Sequence, residues 1–385
     1  MAAIAEFLRQ RREQGLLREL RPIAARHGGR VVVAGREYLD LSSNDYLGLA
    51  GHPRLIEAAK RALDEYGTGA AASRLMGGDF ELHHRLEERV AAFKGKESAL
   101  VFNSGYQANV GLFPALLTRD DAVFSDRLNH ASIVDGIQLS GARAFRFRHN
   151  DPAHLETLLQ RERGKFKTAL IVTETIFSID GDRAPLAALV ALKEKHDCLM
   201  IVDEAHATGV FGPHGAGVVE ADGLAGRIDL VMGTFSKALG GFGAYVAASR
   251  EMVAFLVNAC RSFIYSTALP PAVIAGDLAG LDLVAEEPWR REALAERCPR
   301  FRDALRAKGF QVIGASPIVP VVLGDNHRAV AFAQALREKG YWVVAVRPPT
   351  VPAGEARLRL TLTAHHEATV LDRLADDMAA VAESR

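Results

Sequence analysis

The segment Leu199-Met-Ile-Val-Asp-Glu-Ala-His206 begins with an apolar run and ends in two carboxylates and an imidazole. A second segment, Leu230-Val-Met-Gly-Thr-Phe-Ser-Lys237, has the same order, with apolar residues first and polar residues last. Continuous apolar runs of this length are typical of strands that are buried on both faces of a parallel sheet. The polar residues therefore lie at the carboxyl ends of strands, where open α/β folds bind ligands.

Short apolar runs separated by helical stretches extend this pattern in both directions along the chain. The predicted strands are Ala99–Phe102, Ala122–Ser125, Ala144–Phe147, Ala169–Thr173, Leu199–Asp203, Leu230–Thr234 and Ala244–Ala248. This alternation predicts an α/β fold with a mostly parallel central sheet covered by helices. The flanking patterns predict an N-terminal arm helix and hairpin over residues 1–45, a large α/β domain over 46–285 and a smaller α+β domain over 286–385.

The composition argues against several classes of protein. The 385 residues contain 47 Lys+Arg and 47 Asp+Glu without a basic stripe, which is unlike a nucleic-acid binder. No apolar run reaches the ~18 residues of a membrane span, and the N-terminus lacks the apolar core of a signal peptide. Three widely separated cysteines fit a reducing compartment. We expect a cytoplasmic protein with no nucleic-acid or membrane partner and, from the cysteine and histidine spacing, no metal site.

Several of these residues have other possible explanations. Gly67-Thr-Gly-Ala-Ala-Ala72 fits a loose dinucleotide-binding pattern, but it follows a predicted helix rather than a strand. Asp203-Glu-Ala-His206 has the letters of a helicase box, but the chain has no phosphate loop of the form G-x-x-x-x-G-K-[ST]. Taken singly, Asp203 could be a helix cap, Lys237 a surface lysine and His130 a loop histidine.

Three strand ends taken together indicate a pyridoxal phosphate pocket. Asn103-Ser-Gly-Tyr-Gln-Ala-Asn109 joins a predicted strand to a helix whose first amides can bind a phosphate. Asp203 can keep the ring nitrogen of the cofactor protonated, and Lys237 can form a Schiff base with its aldehyde. His130, which also follows a strand, can supply an imidazole that stacks on the ring.

These motifs resemble those of the α-oxoamine synthases, a branch of the fold-type-I (aspartate aminotransferase-like) pyridoxal phosphate enzymes. The resemblance covers nearly the whole chain and rests on the following segments: Ser43-Asn-Asp-Tyr-Leu-Gly-Leu49, Asn129-His-Ala-Ser132, Thr173-Glu-Thr-Ile-Phe-Ser-Ile-Asp-Gly-Asp182, Asp203-Glu-Ala-His-Ala-Thr-Gly209, Thr234-Phe-Ser-Lys237 and Ile264-Tyr-Ser-Thr267. Within the branch, Arg347-Pro-Pro-Thr-Val-Pro-Ala-Gly354 and His149-Asn-Asp151 most resemble members that condense L-alanine with a pimeloyl thioester in biotin synthesis. The alternatives are a branch member that acts on glycine and an inactive scaffold on the same fold.

The resemblance implies a role for each residue that matches a motif. Lys237 would hold the cofactor through a Schiff base and move the Cα proton, Asp203 would pair with the ring nitrogen, and His130 would stack on the ring. The other implied cofactor contacts are His206 and Ser178 at the ring oxygen, Gly105, Tyr106 and Thr234 at the phosphate and, across a homodimer interface, Ser266 and Thr267 at the partner's phosphate.

The resemblance also implies contacts to the two substrates. Arg347 would bind the carboxylate of the amino acid, and Thr350 and Arg18 would bind the acyl donor, with Arg21 as a rival to Arg18. Asn44 and Glu174 would line the pocket beside His130. The pimeloyl group could arrive on coenzyme A or on acyl carrier protein, because the sequence favours neither.

Overall fold

The computed structural model describes residues 2–383, which form two compact units. The terminal unit comprises the residues up to Gly51, Ile179–Asp182 and the residues from Glu292 onward, and the central unit comprises His52–Ser178 and Arg183–Arg291. The predicted domain boundaries near residues 45 and 285 are separate from this division into two units, and they remain predictions. The predicted domain ends at residues 1 and 384–385 lie outside the described residues.

Helices and strands alternate through most of the chain. The helices are α1 (Ala2–Glu13), α2 (Pro53–Tyr66), α3 (Glu81–Lys94), α4 (Gly105–Leu116), α5 (Ala131–Ser140), α6 (Pro152–Glu162), α7 (Leu186–Lys195), α8 (Val218–Ala221), α9 (Arg250–Ala259), α10 (Arg261–Ile264), α11 (Pro271–Glu286), α12 (Trp289–Ala307), α13 (Asn326–Glu338) and α14 (Ala368–Glu383). The strands are β1 (Ala25–His27), β2 (Arg30–Val33), β3 (Arg36–Asp40), β4 (Ser98–Phe102), β5 (Ala122–Asp126), β6 (Arg143–Phe147), β7 (Ala169–Glu174), β8 (Leu199–Asp203), β9 (Leu230–Thr234), β10 (Ala244–Ala248), β11 (Gln311–Val312), β12 (Ile318–Gly324), β13 (Tyr341–Trp342), β14 (Ala345–Val346) and β15 (Ala356–Thr361).

A seven-stranded sheet with the order β4-β10-β9-β8-β7-β5-β6 forms the centre of the central unit. The pairs from β9 through β8, β7 and β5 to β6 are parallel, which confirms the predicted mostly parallel sheet. Strand β10 is antiparallel to both β4 and β9. Strand β4 therefore runs in the same direction as β9, and the two strands end at the same edge of the sheet.

Buried apolar side chains cover both faces of this sheet. In β7, Ile171 belongs to one apolar cluster, whereas Leu170 and Val172 belong to the cluster on the other face. Successive side chains of a strand point to opposite faces. Because both faces are buried, the strands appear in the sequence as continuous apolar runs rather than as alternating ones.

The terminal unit contains two four-stranded sheets, with the orders β1-β2-β3-β13 and β11-β12-β15-β14. Strands β2 and β3 form the predicted hairpin, with Val31 opposite Tyr38. The short segment Ile179–Asp182 belongs to this unit, in which the buried Arg357 pairs with Asp180. No helix within residues 2–383 is long and apolar enough to cross a membrane.

Candidate active site

The predicted cofactor residues of the central unit follow the carboxyl ends of its strands. The order along the chain is Gly105 and Tyr106 after β4, His130 after β5, Glu174 at the end of β7, Asp203 at the end of β8, and Thr234 and Lys237 at and after the end of β9. Parallel strands end at one edge, and β4 ends there too because β10 lies antiparallel between it and β9. The sheet therefore brings these residues to the same edge.

Lys237 lies in the turn after β9 and is half-buried. Its Nζ donates a hydrogen bond of 3.4 Å to Oγ1 of Thr234, which is buried. The backbone of the turn is closed by a 3.0 Å hydrogen bond from the Gly240 amide to the Lys237 carbonyl. The lysine is thus held over the strand end, with its amine beside a hydroxyl group.

Asp203 is buried, and both of its carboxylate oxygens have neutral donors. Oδ1 accepts from the Ala205 amide at 2.9 Å, and Oδ2 accepts from Nδ2 of Asn109 at 3.1 Å. Asn109 also donates to Oγ of Ser132 at 3.0 Å. Sequence reasoning quoted Asn109 within a motif but gave it no role. Its position one helical turn after Gly105 was the available clue, because residues four apart share a helix face.

His130 begins helix α5 and is anchored by its own side chain. Its Nδ1 accepts from the Ser132 amide at 3.2 Å and lies 2.7 Å from the Ser132 hydroxyl. Desolvation lowers the pKa of His130, with Asp203 opposing this shift and Lys237 adding to it. The neutral imidazole is therefore favoured, and it lies within electrostatic reach of both the predicted ring carboxylate and the predicted Schiff-base lysine.

Glu174 is a second buried carboxyl group beside Asp203. The two residues are paired across β7 and β8. Oε2 of Glu174 accepts from the Ser178 amide at 3.2 Å, whereas Oε1 has no hydrogen-bond partner among the described residues. Burial, and then the neighbouring Asp203, raise the pKa of Glu174 well above its ordinary value. Ser178 and the buried His206 follow these two strand ends closely in the sequence.

The start of helix α4 has the form of a phosphate site. Ser104 caps the helix, with its Oγ accepting from the Gln107 amide at 3.1 Å. A Cβ atom on Gly105 would approach Cγ2 of Thr234 to 2.9 Å, so only glycine brings these two strand ends so close. The first amides of α4 therefore lie beside the Thr234 side chain, and a helix start of this kind favours an anionic group.

Ser266 lies beside the same helix start. Its Oγ accepts from Nε2 of Gln107 at 2.7 Å, and the Thr267 carbonyl accepts from Nδ2 of Asn103 at 2.9 Å. Thr267 also forms an isolated bridge with Ser73. The structure thus ties the Ser266–Thr267 segment to the α4 turn within one chain, and the predicted contact to a partner's phosphate stays a prediction.

The predicted substrate residues Arg18, Thr350 and Arg347 of the terminal unit form hydrogen bonds with one another or with the N-terminal arm. Arg18 donates to Oγ1 of Thr350 at 3.2 Å. Arg347 donates to the carbonyls of Gly15 and Leu17, and burial, followed by the charge of Arg18, lowers its pKa. The arm is therefore fastened to the segment that follows β14.

Asn44 contacts an arginine that sequence reasoning missed. Nη2 of Arg359 donates to Oδ1 of Asn44 at 3.2 Å, and Nη1 donates to Oγ1 of Thr361 at 2.9 Å. The clue was the strand Ala356–Thr361, in which Arg357 and Arg359 alternate with apolar residues, since an arginine in such a position usually has a specific partner.

These residues fit pyridoxal phosphate. The cofactor needs a cradle for its phosphate, a carboxylate for its ring nitrogen and an amine for its aldehyde. The α4 turn, Asp203 and Lys237 supply these three groups at one edge of the sheet. Glu174 adds a buried carboxyl oxygen without a hydrogen-bond partner among the described residues, as a site that binds a polar molecule would have.

Comparisons with known proteins agree with this geometry. Residues 36–378 match the family described as aminotransferase class I and II. The chain is 55% identical over 382 residues to the 8-amino-7-oxononanoate synthase of Geobacter sulfurreducens, covering 98% of this chain and 97% of that one. It is 53% identical over 369 residues to the enzyme of the same name from Anaeromyxobacter dehalogenans, covering 96% and 92%.

Solved structures show the same fold. A serine palmitoyltransferase of Sphingomonas wittichii superposes with a TM-score of 0.93 at 33% identity, covering 100% of this chain and 97% of that one. An 8-amino-7-oxononanoate synthase of Francisella tularensis superposes with a TM-score of 0.78 at 28% identity, covering 90% and 98%. The two likenesses confirm the predicted fold type.

Proposed function

The chain belongs to the aminotransferase class I and II family, and from that premise we propose that it condenses L-alanine with a pimeloyl thioester. The products are 8-amino-7-oxononanoate, CO2 and the free thiol, in biotin synthesis. One observation carries this proposal: a curated 8-amino-7-oxononanoate synthase is 55% identical to this chain over 98% of its length. The placement of Asp203 and Lys237 at adjacent strand ends supports it.

Pyridoxal phosphate is the cofactor, and when bound it supplies an electron sink for the charge that develops at Cα of the amino acid. Lys237 is proposed to hold the cofactor's aldehyde carbon and then to take the Cα proton of alanine. A lysine amine suits both tasks, because in its neutral form it is both a nucleophile and a base. The proton returns from Nζ of Lys237 after CO2 has left.

Asp203 is proposed to hold a proton on the ring nitrogen. Its carboxylate is fixed by the Asn109 and Ala205 donors, so it does not have to reorganise during the reaction. His130 is proposed to cover one face of the ring as a neutral imidazole, in keeping with its lowered pKa. His206 and Ser178 are proposed to bind the ring oxygen.

Phosphate binding is assigned to the start of α4. The Gly105 and Tyr106 amides and the Thr234 hydroxyl are the proposed donors, because a helix N-terminus with free amides favours an anion. The Gly105–Thr234 approach supports this assignment, since it leaves the helix start uncovered by a side chain at residue 105.

The proposed substrate contacts lie in the terminal unit and at the end of β7. Arg347 is proposed to bind the alanine carboxylate, and Arg18 and Thr350 the acyl donor. Asn44 of the terminal unit and Glu174 of the central unit are each proposed to contact substrate. The Arg18–Thr350 hydrogen bond supports Arg18 over its rival Arg21. Coenzyme A and acyl carrier protein both remain possible carriers of the pimeloyl group.

A second candidate is condensation of another amino acid with another acyl thioester. The structural likeness to serine palmitoyltransferase, with a TM-score of 0.93 against 0.78 for the Francisella synthase, favours it. The sequence identity favours alanine and pimeloyl thioester, because 55% identity to the curated synthase exceeds 33% identity to the transferase.

One experiment separates these activities. Purified protein loaded with pyridoxal phosphate is given alanine, glycine or serine, each with pimeloyl-, acetyl- or palmitoyl-CoA, and product masses are measured. We expect the mass of 8-amino-7-oxononanoate from alanine and pimeloyl-CoA as the dominant product. Preference for any other pair contradicts the proposal, as does absence of product from a loaded protein that is given alanine with pimeloyl-CoA and, separately, with pimeloyl-acyl carrier protein.

We also propose that the chain works as a homodimer in the cytoplasm. Large apolar side chains of the central unit are exposed in the single chain, namely Leu75, Met76, Tyr106, Phe242 and Tyr265. Contiguous exposed apolar surface commonly marks an interface, and Ser266 and Thr267 directly follow Tyr265 in the sequence. Cys198, Cys260 and Cys298 are buried free thiols, which supports a reducing compartment.

A further inference from the structure

A buried polar cluster lies in the central unit and takes no part in the proposed reaction. We define it as Lys94, Glu204, Thr208 and Tyr245, none of which is more than 5% exposed. It joins the end of α3, the turn after β8 and strand β10. Burying two charges is costly, and a buried ion pair often adds little net stability. The cluster therefore invites a functional explanation.

Lys94 uses every donor it has within this cluster. Its Nζ donates to Oε2 of Glu204 at 2.8 Å, to Oγ1 of Thr208 at 2.9 Å and to the carbonyl of Ala216. An ammonium group has three protons, so all three are engaged. Burial lowers the pKa of Lys94, but Glu204 and Tyr245 more than compensate and raise it. The lysine is held as a cation.

Glu204 transmits this restraint to the turn that carries the proposed cofactor residues. It stands between Asp203 and His206, and its carbonyl accepts from the Ala207 and Thr208 amides at 2.9 Å each. Its amide donates to the Met232 carbonyl of β9 at 2.8 Å. Its Oε1 accepts from the Val219 amide at 2.9 Å.

Two glycines allow the cluster to pack this closely. Gly217 has a φ of +120°, and a side chain there would overlap the Glu204 carboxylate. A side chain at Gly233 would overlap the Tyr245 hydroxyl, which lies 2.9 Å from Oγ1 of Thr208. The Glu204 carboxylate and the Tyr245 hydroxyl thus occupy the space that side chains at the two glycine positions would need. The turn after β8 therefore has little freedom to shift.

We propose that Lys94 is a positioning residue. Its hydrogen-bonded ion pair with Glu204 fixes the turn after β8, and this turn orients Asp203 and His206 toward the cofactor ring. The inference rests on the proposed function, because it assumes that Asp203 and His206 contact the cofactor. Without the ammonium group, Glu204 is a buried unpaired carboxylate that gains solvation only if the turn moves.

The test compares two lysines near the end of α3. Lys96 donates to the Ala225 and Ile228 carbonyls, so it ties α3 to another loop and has no bond to the turn after β8 among the described residues. Lys94→Met should weaken binding of pyridoxal phosphate about tenfold or more. It should also change the visible circular dichroism of the bound cofactor, which reports ring orientation. Lys96→Met should lower the stability of the apoprotein but leave both cofactor readouts within about twofold.

A third variant keeps the test decisive if Lys94→Met does not fold. The double variant Lys94→Met with Glu204→Gln buries no unpaired charge, so it should unfold in urea at a concentration close to that of the wild type. It should still bind cofactor weakly, because the three hydrogen bonds that Lys94 donates to Glu204, Thr208 and the Ala216 carbonyl are lost. A folded single or double variant with wild-type cofactor affinity and dichroism overturns the proposal. Wild-type protein that fails to bind pyridoxal phosphate instead contradicts the proposed function.

Discussion

The two groups of proposed site residues differ in how the chain brings them together. The cofactor group of the central unit follows the ends of strands in one sheet, and its members Glu174, Asp203 and Thr234 are buried. The substrate group of the terminal unit depends on contacts such as Arg18 with Thr350, 332 residues apart, and both side chains are exposed. Local strand-and-turn patterns therefore locate the first group, whereas only the folded chain pairs the second.

Lys237→Ala is the largest expected effect and tests the cofactor group. One amine is proposed both to hold the cofactor and to move the Cα proton, so its removal should lower turnover at least about a thousandfold. The visible absorbance of the bound cofactor should shift, with urea unfolding of the apoprotein little changed. Lys165→Ala, at an exposed lysine paired with Glu162, is the matched control and should keep full activity. Near wild-type turnover of Lys237→Ala would remove that lysine from its role.

Mixing that variant with Ser266→Asp extends the comparison to the dimer. A carboxylate beside the phosphate should disable the second variant through like-charge repulsion. If each site takes Lys237 from one chain and Ser266 from the other, heterodimers contain one intact site. Co-expression should then restore up to roughly a quarter of wild-type activity. A mixture no more active than its parents places both residues in the site of one chain, as the Ser266–Gln107 contact would allow.

Arg347→Lys tests the substrate group and should have an intermediate effect. Lysine keeps the charge but loses the planar two-pronged fork, so alanine should bind about tenfold more weakly while cofactor binding is retained. A spectral titration of the loaded protein with alanine measures this. Arg359→Lys is the comparison, because Arg359 contacts Asn44 whereas Arg347 is engaged by the arm carbonyls. A larger loss of alanine affinity in Arg359→Lys than in Arg347→Lys would indicate that the alanine carboxylate binds at β15, the strand that carries Arg359.

Glu174→Gln should have the smallest effect, a change in how stability depends on pH. Because the pKa of Glu174 is raised in the folded chain, the unfolded chain releases this proton at lower pH than the folded chain does. Its contribution to the free energy of unfolding therefore falls as pH rises above about 4.5. Glutamine has no proton to lose, so the variant apoprotein should gain stability relative to wild type as the pH rises above about 4.5.

Urea unfolding of the apoprotein at several pH values gives this comparison. Glu194→Gln, at an exposed glutamate paired with Arg227, is the control and should not reproduce the relative gain. Parallel stability curves for Glu174→Gln and wild type would show that Glu174 is ionised in the folded chain.

Much of the central unit could be predicted from the sequence. Strands buried on both faces require continuous apolar residues, and the predicted strands Leu199–Asp203 and Leu230–Thr234 match β8 and β9. The polar residues that follow them therefore had to lie at a ligand-binding edge. Helix α4 was equally accessible, since Ser104 before Gly105 is a typical N-cap position.

The remaining contacts depend on which distant segments meet, and spacing along the chain carries no information about that. Asn109 holds Asp203 from 94 residues away, and Lys94 holds Glu204 from 110 residues away. Arg359 and Asn44 are 315 residues apart.

Sequence by itself determined the chemistry at each strand end, because a buried strand followed by a polar turn is a local pattern of hydrophobic burial and turn geometry. Tertiary structure decided which strand ends share an edge of the sheet and which charged side chains have hydrogen-bond or ion-pair partners. Antiparallel β10 between β4 and β9 brings the α4 turn beside Thr234. A hydrogen bond or ion pair forms only where packing brings both partners within about 3 Å, and packing is a property of the whole chain rather than of any one segment.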